Sequence, residues 1–240
     1  MVNLGDQASR KKRKEEIAKR LGDVRRELDP SVTLIVVTKN FPVQDLEILH
    51  ELGERNFGEN RVQELIEKRT SLPTEVDQSV IWHYQGQIQS NKISLLNQHA
   101  DVIHSIDSQK VIDRLSAEME VFLQVNLDPI PKRGSEGDNS SRAGIDPTDL
   151  DTFALAMVEK FGSKFLGLMA VAPHFPGITS EDLREAFHRL QKLSEHLVTI
   201  APEARSISAG MSDDYRLALE HGATHIRLGS SILGSRAPGA

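Results

Sequence analysis

The sequence predicts one α/β domain over residues 1–240, a (β/α)8 barrel with an extra helix at its N-terminus. Three observations carry that expectation. Eight strand-like segments, each followed by a helix-like one, fill most of the chain. The first of them, residues 32–39 (Val-Thr-Leu-Ile-Val-Val-Thr-Lys), is an apolar run rich in β-branched residues, suited to a strand buried on both faces of a helix-covered parallel sheet. The segments after the seventh and eighth strands set glycine beside hydroxyl residues, at the rim where barrels gather their ligands. Local pattern does not say whether strand eight closes onto strand one, so a doubly wound sheet is the alternative.

The elements follow in order. Residues 10–28 carry Ile17, Leu21, Val24 and Leu28 at helical spacing behind the basic cluster Arg10–Lys14, which reads as a solvated first turn because acidic residues follow at once. Strand one stops near Lys39, since Pro42 disfavours helix at Phe41. A helix over 43–52 ends at Gly53, a C-cap signal. Strands are expected at 55–58, 81–84, 102–105, 121–126, 165–170, 206–208 and 224–228. Helices are expected over 60–69, 87–96, 108–118, 147–161, 181–200 and 213–221, with a short helical or irregular tail. The polar stretch 127–144 is longer than most connections and reads as a lid or a disordered loop.

Composition bounds the function. With 38% hydrophobic and 27% charged residues the chain is that of a soluble globular protein. Its net charge of −6 argues against a nucleic-acid partner, which calls for a basic face. No apolar run is long enough for a membrane span, and no apolar core follows the basic N-terminal cluster. The absence of cysteine excludes disulfides and thiolate metal sites and fits a cytoplasmic location. No Walker loop, G-x-G-x-x-G fingerprint, nucleophile elbow or zinc spacing is present.

What remains is an amine and an anion pocket. At the carboxyl end of a buried strand, Lys39 would lose part of its hydration, which lowers a lysine's pKa and leaves an amine able to form a Schiff base. The loops Ser208-Ala209-Gly210-Met211-Ser212 and Arg227-Leu228-Gly229-Ser230-Ser231 let the backbone approach a ligand ahead of expected helix starts, an arrangement suited to phosphate; taken singly, Ser212 and Ser230 are equally N-caps. Asn60 caps a helix or points its amide at a ligand, and His83 lies within strand three, a core histidine by default. An imine-forming lysine facing a phosphate cradle suits pyridoxal phosphate, or the phosphorylated sugar of a Schiff-base aldolase.

The chain resembles the pyridoxal phosphate homeostasis protein family, whose members have the barrel of alanine racemase (the fold type III barrel of pyridoxal phosphate proteins) without its second domain. The resemblance rests on ordered, spaced matches across nearly the whole chain: Val37-Thr38-Lys39, Phe57-Gly58-Glu59-Asn60 with Val62-Gln63-Glu64, Trp82-His83-Tyr84-Gln85-Gly86, Gln89-Ser90-Asn91-Lys92, His104-Ser105-Ile106-Asp107, Gln124-Val125-Asn126, Gly167-Leu168-Met169, Gly210-Met211-Ser212-Asp213, and Arg227-Leu228-Gly229 with Gly234-Ser235-Arg236. It implies that Lys39 holds pyridoxal phosphate as a Schiff base, that Ser208, Ser212, Gly229 and Ser230 lie on the phosphate side, and that Met211 also binds the cofactor. Arg227 then meets the cofactor at its phosphate or ring nitrogen, and Asn60 and His83 lie near the ring. Gln85 departs from the family, standing where an aliphatic residue is usual, and the 127–144 loop carries extra polar residues; neither is expected to touch the lysine or the phosphate loops.

The resemblance implies a cytoplasmic, monomeric carrier or regulator of pyridoxal phosphate and amino-acid balance, with no strong catalytic activity and with pyridoxal phosphate-dependent apoenzymes as candidate recipients. The competing expectation is a slow amino-acid racemase. Inversion needs a proton donor and a proton acceptor on opposite faces of the carbanion, and the racemase draws the second group from its extra domain and a partner subunit; with no room for that domain here, Lys39 serves one face only. Exchange of an amino acid's α-hydrogen with deuterated water, lost in Lys39→Ala, would favour the racemase.

Overall fold

In the computed structural model, which describes residues 4–128 and 143–235, eight parallel strands close into a barrel. Residues 129–142, most of the expected loop, and Arg236 lie outside the described residues. The chain opens with α1 (Leu4–Glu27), then β1 (Thr33–Val37), α2 (Val43–Glu51), β2 (Asn56–Glu59), α3 (Val62–Ser71), α4 (Thr74–Gln78) and β3 (Ile81–Tyr84). It continues with α5 (Ile93–His99), β4 (Val102–Ile106), α6 (Gln109–Arg114), β5 (Glu120–Gln124), α7 (Leu150–Phe161) and β6 (Phe165–Met169). The last elements are α8 (Ser180–Ile200), β7 (Ser206–Ser208), α9 (Tyr215–Glu220), β8 (His225–Leu228) and α10 (Ser230–Leu233). β8 pairs with β1 in register Leu34 to Ile226 and Val36 to Leu228, and this closure decides for the barrel against the doubly wound sheet.

Alternation along the strands sorts the core into two layers. Leu34, Val36, Phe57, Trp82, Ile103, Leu123, Leu168, Ile226 and Leu228 join one buried cluster with the apolar faces of the helices. Val102, Phe122 and Met169 form a separate small cluster, and the alternate strand positions also carry the buried polar side chains His83, His104, Ser208 and Arg227. A barrel this size must fill its interior with side chains, and here much of that filling is polar.

The N-terminal helix buries Ile17, Leu21, Val24 and Leu28, as its spacing predicts. Its basic cluster is not merely solvated. Arg13 forks onto Asp45 of α2 at 2.9 and 2.6 Å and also reaches the Leu233 carbonyl of α10 at 3.0 Å. Arg10 and Lys14 pair with Glu51. The acids that receive them lie on the next helix, so charge pattern within one segment could not reveal the pairing.

Boundaries elsewhere differ modestly. The helix expected over 87–96 begins only at Ile93, after a 3-10 turn at Ser90–Lys92, and α4 was not anticipated. The helix expected from Asp213 starts at Tyr215, and the tail is a single turn, Ser230–Leu233. Helix dipoles at these two places are therefore weaker than the sequence suggested, and any anion there would be met by hydroxyls and turn amides.

Candidate functional site

The carboxyl ends of the strands surround a cavity of about 490 Å³, a size suited to a small organic ligand. Its lining includes Lys39 after β1, Asn60 after β2, Met211 and Ser212 after β7, Arg227 on β8, and Gly229 and Ser230 beyond it. Seven residues singled out from the sequence thus converge. His83 and Ser208 do not line the cavity; they lie within the barrel, both buried.

Lys39 comes to the cavity because β1 ends just before it and the chain turns back at once. Phe41 N donates to the Thr38 carbonyl at 2.9 Å, and Asn40 between them takes a left-handed φ of 63°. Directly beside β1, the Gly229 turn packs so closely that a Cβ there would sit 3.1 Å from the Val37 carbonyl oxygen. The amine's strand is hydrogen-bonded to β8, the strand that leads into the second hydroxyl turn. The two hydroxyl turns also meet each other: Ser230 Oγ donates to Ser212 Oγ at 3.0 Å.

Arg227 is held from one side. Its Nη1 donates to the Ser208 carbonyl at 2.8 Å and to Ser208 Oγ at 2.9 Å, and its Nη2 donates to the Ala170 carbonyl at 3.0 Å. A guanidinium carries five N–H groups, so these bonds leave donors for the cavity that Arg227 lines. Burial pulls its pKa down to about 10, still far above neutrality, so the group is a cation.

Behind Arg227 a chain of hydrogen bonds crosses the barrel. Ser208 Oγ meets His104 Nδ1 at 2.9 Å, His104 Nε2 meets His83 Nδ1 at 2.9 Å, and His83 Nε2 meets Asn56 Oδ1 at 3.0 Å. An arginine only donates, so Ser208 Oγ accepts from it, and the Ser208 hydroxyl in turn donates a hydrogen bond to His104 Nδ1. His104 then donates from Nε2 to His83, and His83 donates from Nε2 to the Asn56 carbonyl oxygen. Both histidines are neutral in this order. Burial, first of all, pulls His83 down to about 3 and His104 well below its usual range. His104 is further fixed by stacking on Phe122, ring centres 4.6 Å apart.

Sequence reasoning missed several residues of the wall. Phe41, Met169, Val171, Asp213 and Gly234 line the cavity without standing out as chemistry-bearing groups. Gln85, noted in the sequence only as a departure from the family, lines the same cavity as Lys39. The signal was available: Gln85 directly follows β3, in the same rim position that Lys39 and Asn60 occupy after β1 and β2. Gly86 next to it touches the Asn60 backbone. Among the described residues no group of His, Asp or Glu side chains is placed to hold a metal, and no helix is long and apolar enough to cross a membrane.

Comparison with known proteins agrees with this geometry. The family model for the alanine racemase N-terminal domain matches residues 13–237. The pyridoxal phosphate homeostasis protein of Vibrio cholerae is 33% identical over 214 residues, covering 86% of this chain and 86% of the relative. That of Mycobacterium tuberculosis is 34% identical over 228 residues, covering 85% and 83%. The structure of PipY from Synechococcus elongatus with pyridoxal phosphate bound is 36% identical, with a TM-score of 0.76 over 91% of this chain and 100% of that one. Alanine racemase from Corynebacterium glutamicum, at 12% identity and a TM-score of 0.67 over 95% of this chain and 62% of its own, shares the fold. The chain belongs to the alanine racemase N-terminal domain family, and within it to the pyridoxal phosphate homeostasis proteins.

Proposed function

We propose that this protein binds pyridoxal phosphate as a Schiff base on Lys39 and serves in the balance of that cofactor and of amino acids. The observation that carries the reading is the meeting in one cavity of Lys39, the Ser212–Ser230 hydroxyl pair and Arg227. Pyridoxal phosphate supplies an aldehyde, which condenses with a primary amine by losing water, and a phosphate, which hydroxyls and backbone amides can hold.

The residues present fit that group. Asn60 Oδ1 is buried without a hydrogen-bond partner, a deficit that a ligand donor would remove. Ser212, Ser230 and the backbone at Gly229 would hold the phosphate, with Met211 as the apolar lip beside them. Lys39 would hold the ring end, and Asn60 would orient it. Tied to Ser208 and Ala170 inside the barrel, Arg227 is better placed for the ring nitrogen than for the more exposed phosphate turns. Its fixed positive charge disfavours protonation of that nitrogen, which weakens the electron sink that fast carbanion chemistry needs. Ser208 and His83 contribute through Arg227 rather than by touching the ligand. The reading is therefore of a carrier rather than a strong catalyst, working as a single chain in the cytoplasm, with pyridoxal phosphate-dependent apoenzymes as recipients.

Purified protein titrated with pyridoxal phosphate is expected to gain a visible absorption band, and Lys39→Ala to lack it. Borohydride reduction followed by peptide mass analysis should then place the pyridoxyl group on Lys39. Modification of a different lysine, or no band in the wild type, would overturn the reading.

Gly86→Ala provides a second check, on the wall opposite the phosphate turns. A Cβ at 86 would lie 2.0 Å from the Asn60 carbonyl oxygen, so the backbone carrying Asn60 must shift. Binding is expected to weaken by about tenfold or more, measured by the same titration. Unchanged affinity would remove Asn60 from the site.

A further inference from the structure

We propose that the buried cluster Lys68–Glu59–Glu64 is a positioning device that clamps the backbone on both sides of Lys39 and so sets the reach of its amine. The inference rests on the function proposed above and adds to it three residues outside the cavity.

Lys68 of α3 is buried, and its ammonium spends all three N–H groups locally. Nζ donates to the Thr38 carbonyl at 2.6 Å, to Glu59 Oε1 at 2.6 Å and to Glu64 Oε1 at 2.7 Å. Glu59 Oε1 also accepts from the Thr38 hydroxyl, and Glu64 Oε1 accepts from the Asn40 backbone N–H. The residue before Lys39 is thus held by its carbonyl and its hydroxyl, and the residue after it by its amide. Asn40 takes a left-handed φ of 63°, which asparagine tolerates better than most residues and which turns its backbone N–H away from the strand pairing. Glu64 supplies the partner that keeps its N–H satisfied in that conformation.

The cluster is expensive to bury, which argues that more than packing is at stake. Glu59 is fully buried with Oε2 unpartnered, and two carboxylates share a single ammonium. Burial pushes the Glu59 pKa up while Lys68 pulls it back. An apolar triad would fill the same space but would leave the Thr38 carbonyl and the Asn40 amide without these partners. A lysine side chain swings on four methylenes, so its amine meets a carbonyl at a fixed place only if its backbone is fixed first.

The test compares the rate at which the visible band appears after mixing with pyridoxal phosphate in wild type, Glu64→Ala and Glu64→Gln. Glu64→Ala is expected to slow capture by about tenfold or more, while Glu64→Gln, which keeps an oxygen for the Asn40 N–H, restores most of the rate. Affinity for pyridoxine 5′-phosphate, which has an alcohol in place of the aldehyde and needs no amine, should stay within about twofold in both variants. Should Glu64→Ala fail to fold, Glu64→Asp, one methylene shorter and still charged, carries the same expectation. Capture by Glu64→Ala at the wild-type rate would overturn the clamp, as would an equal loss of affinity for the alcohol. A wild type that forms no Lys39 adduct would instead overturn the function itself.

Discussion

A chain with alanine at position 167 is expected not to close its barrel. Gly167 sits in β6 between Phe122 of β5 and Ser206 of β7, at a φ of +146° that a side chain rarely adopts. A Cβ there would lie 1.9 Å from the Ser206 carbonyl oxygen and 2.8 Å from its carbon. Both are backbone atoms, so no rotamer change relieves the clash. An open sheet could shed the strain at an edge, but a closed barrel has no edge to move. The cost should be on the order of 4 kcal/mol or more, a large share of the stability of an ordinary domain. Thermal melting followed by circular dichroism would show it, as a large drop in the midpoint or a loss of soluble protein. A midpoint within about 2 °C of wild type would show that the backbone yields to the added Cβ and overturn the expectation. Gly22→Ala in α1, where an added Cβ meets nothing within 4 Å, is the natural control and should hold or raise the midpoint.

Acid is expected to unfold the ligand-free protein well before most of its carboxylates are protonated. The interior histidines are the reason. Burial holds His83 at about 3 and His225 at about 4, and pushes His104 far below its usual range, with Arg227 adding repulsion at His104 and His225. In the unfolded chain each titrates near 6.5. Between pH 6.5 and about 3 the unfolded state therefore binds more protons, and stability falls as pH falls through that window. Above pH 6.5 the neutral forms cost nothing. At pH 4 the loss is roughly 3 kcal/mol for His83 alone, and His225 and His104 act in the same direction. Glu59, Asp107 and Asp214, whose carboxyls burial pushes up, take protons more readily in the folded state and offset part of the loss. The check is the urea midpoint measured from pH 7 to pH 4. A flat profile would mean that the histidines do not stay neutral inside the barrel.

How far the sequence could be read follows from which interactions are local. The run at 32–39, the Ile17–Leu28 stripe and the Gly53 stop depend on near neighbours, and each element stands close to where its pattern placed it. Lys39, Ser212, Gly229 and Ser230 were legible because barrel chemistry collects at strand ends, a rule of topology rather than of contact. Gln85 reaches the cavity for a related reason, its place after β3. The Lys68–Glu59–Glu64 clamp was hidden, because its members also read as ordinary charges on a helix face and at a strand end.

The alternation of strands and helices, the amine at the end of the first strand and the hydroxyl turns after the last two are all written locally in the chain. Those features rest on periodicity, turn chemistry and residue type, all of which act within a few residues. The folded chain, and no local pattern, closes strand eight on strand one, which sets the Gly229 turn against the end of the lysine's strand. It alone decided that His83 and Ser208 stand behind Arg227 instead of in the cavity. Such pairings join residues as distant in the chain as Leu34 and Ile226 or His104 and Ser208, and no local pattern encodes which distant polar group will satisfy a buried one.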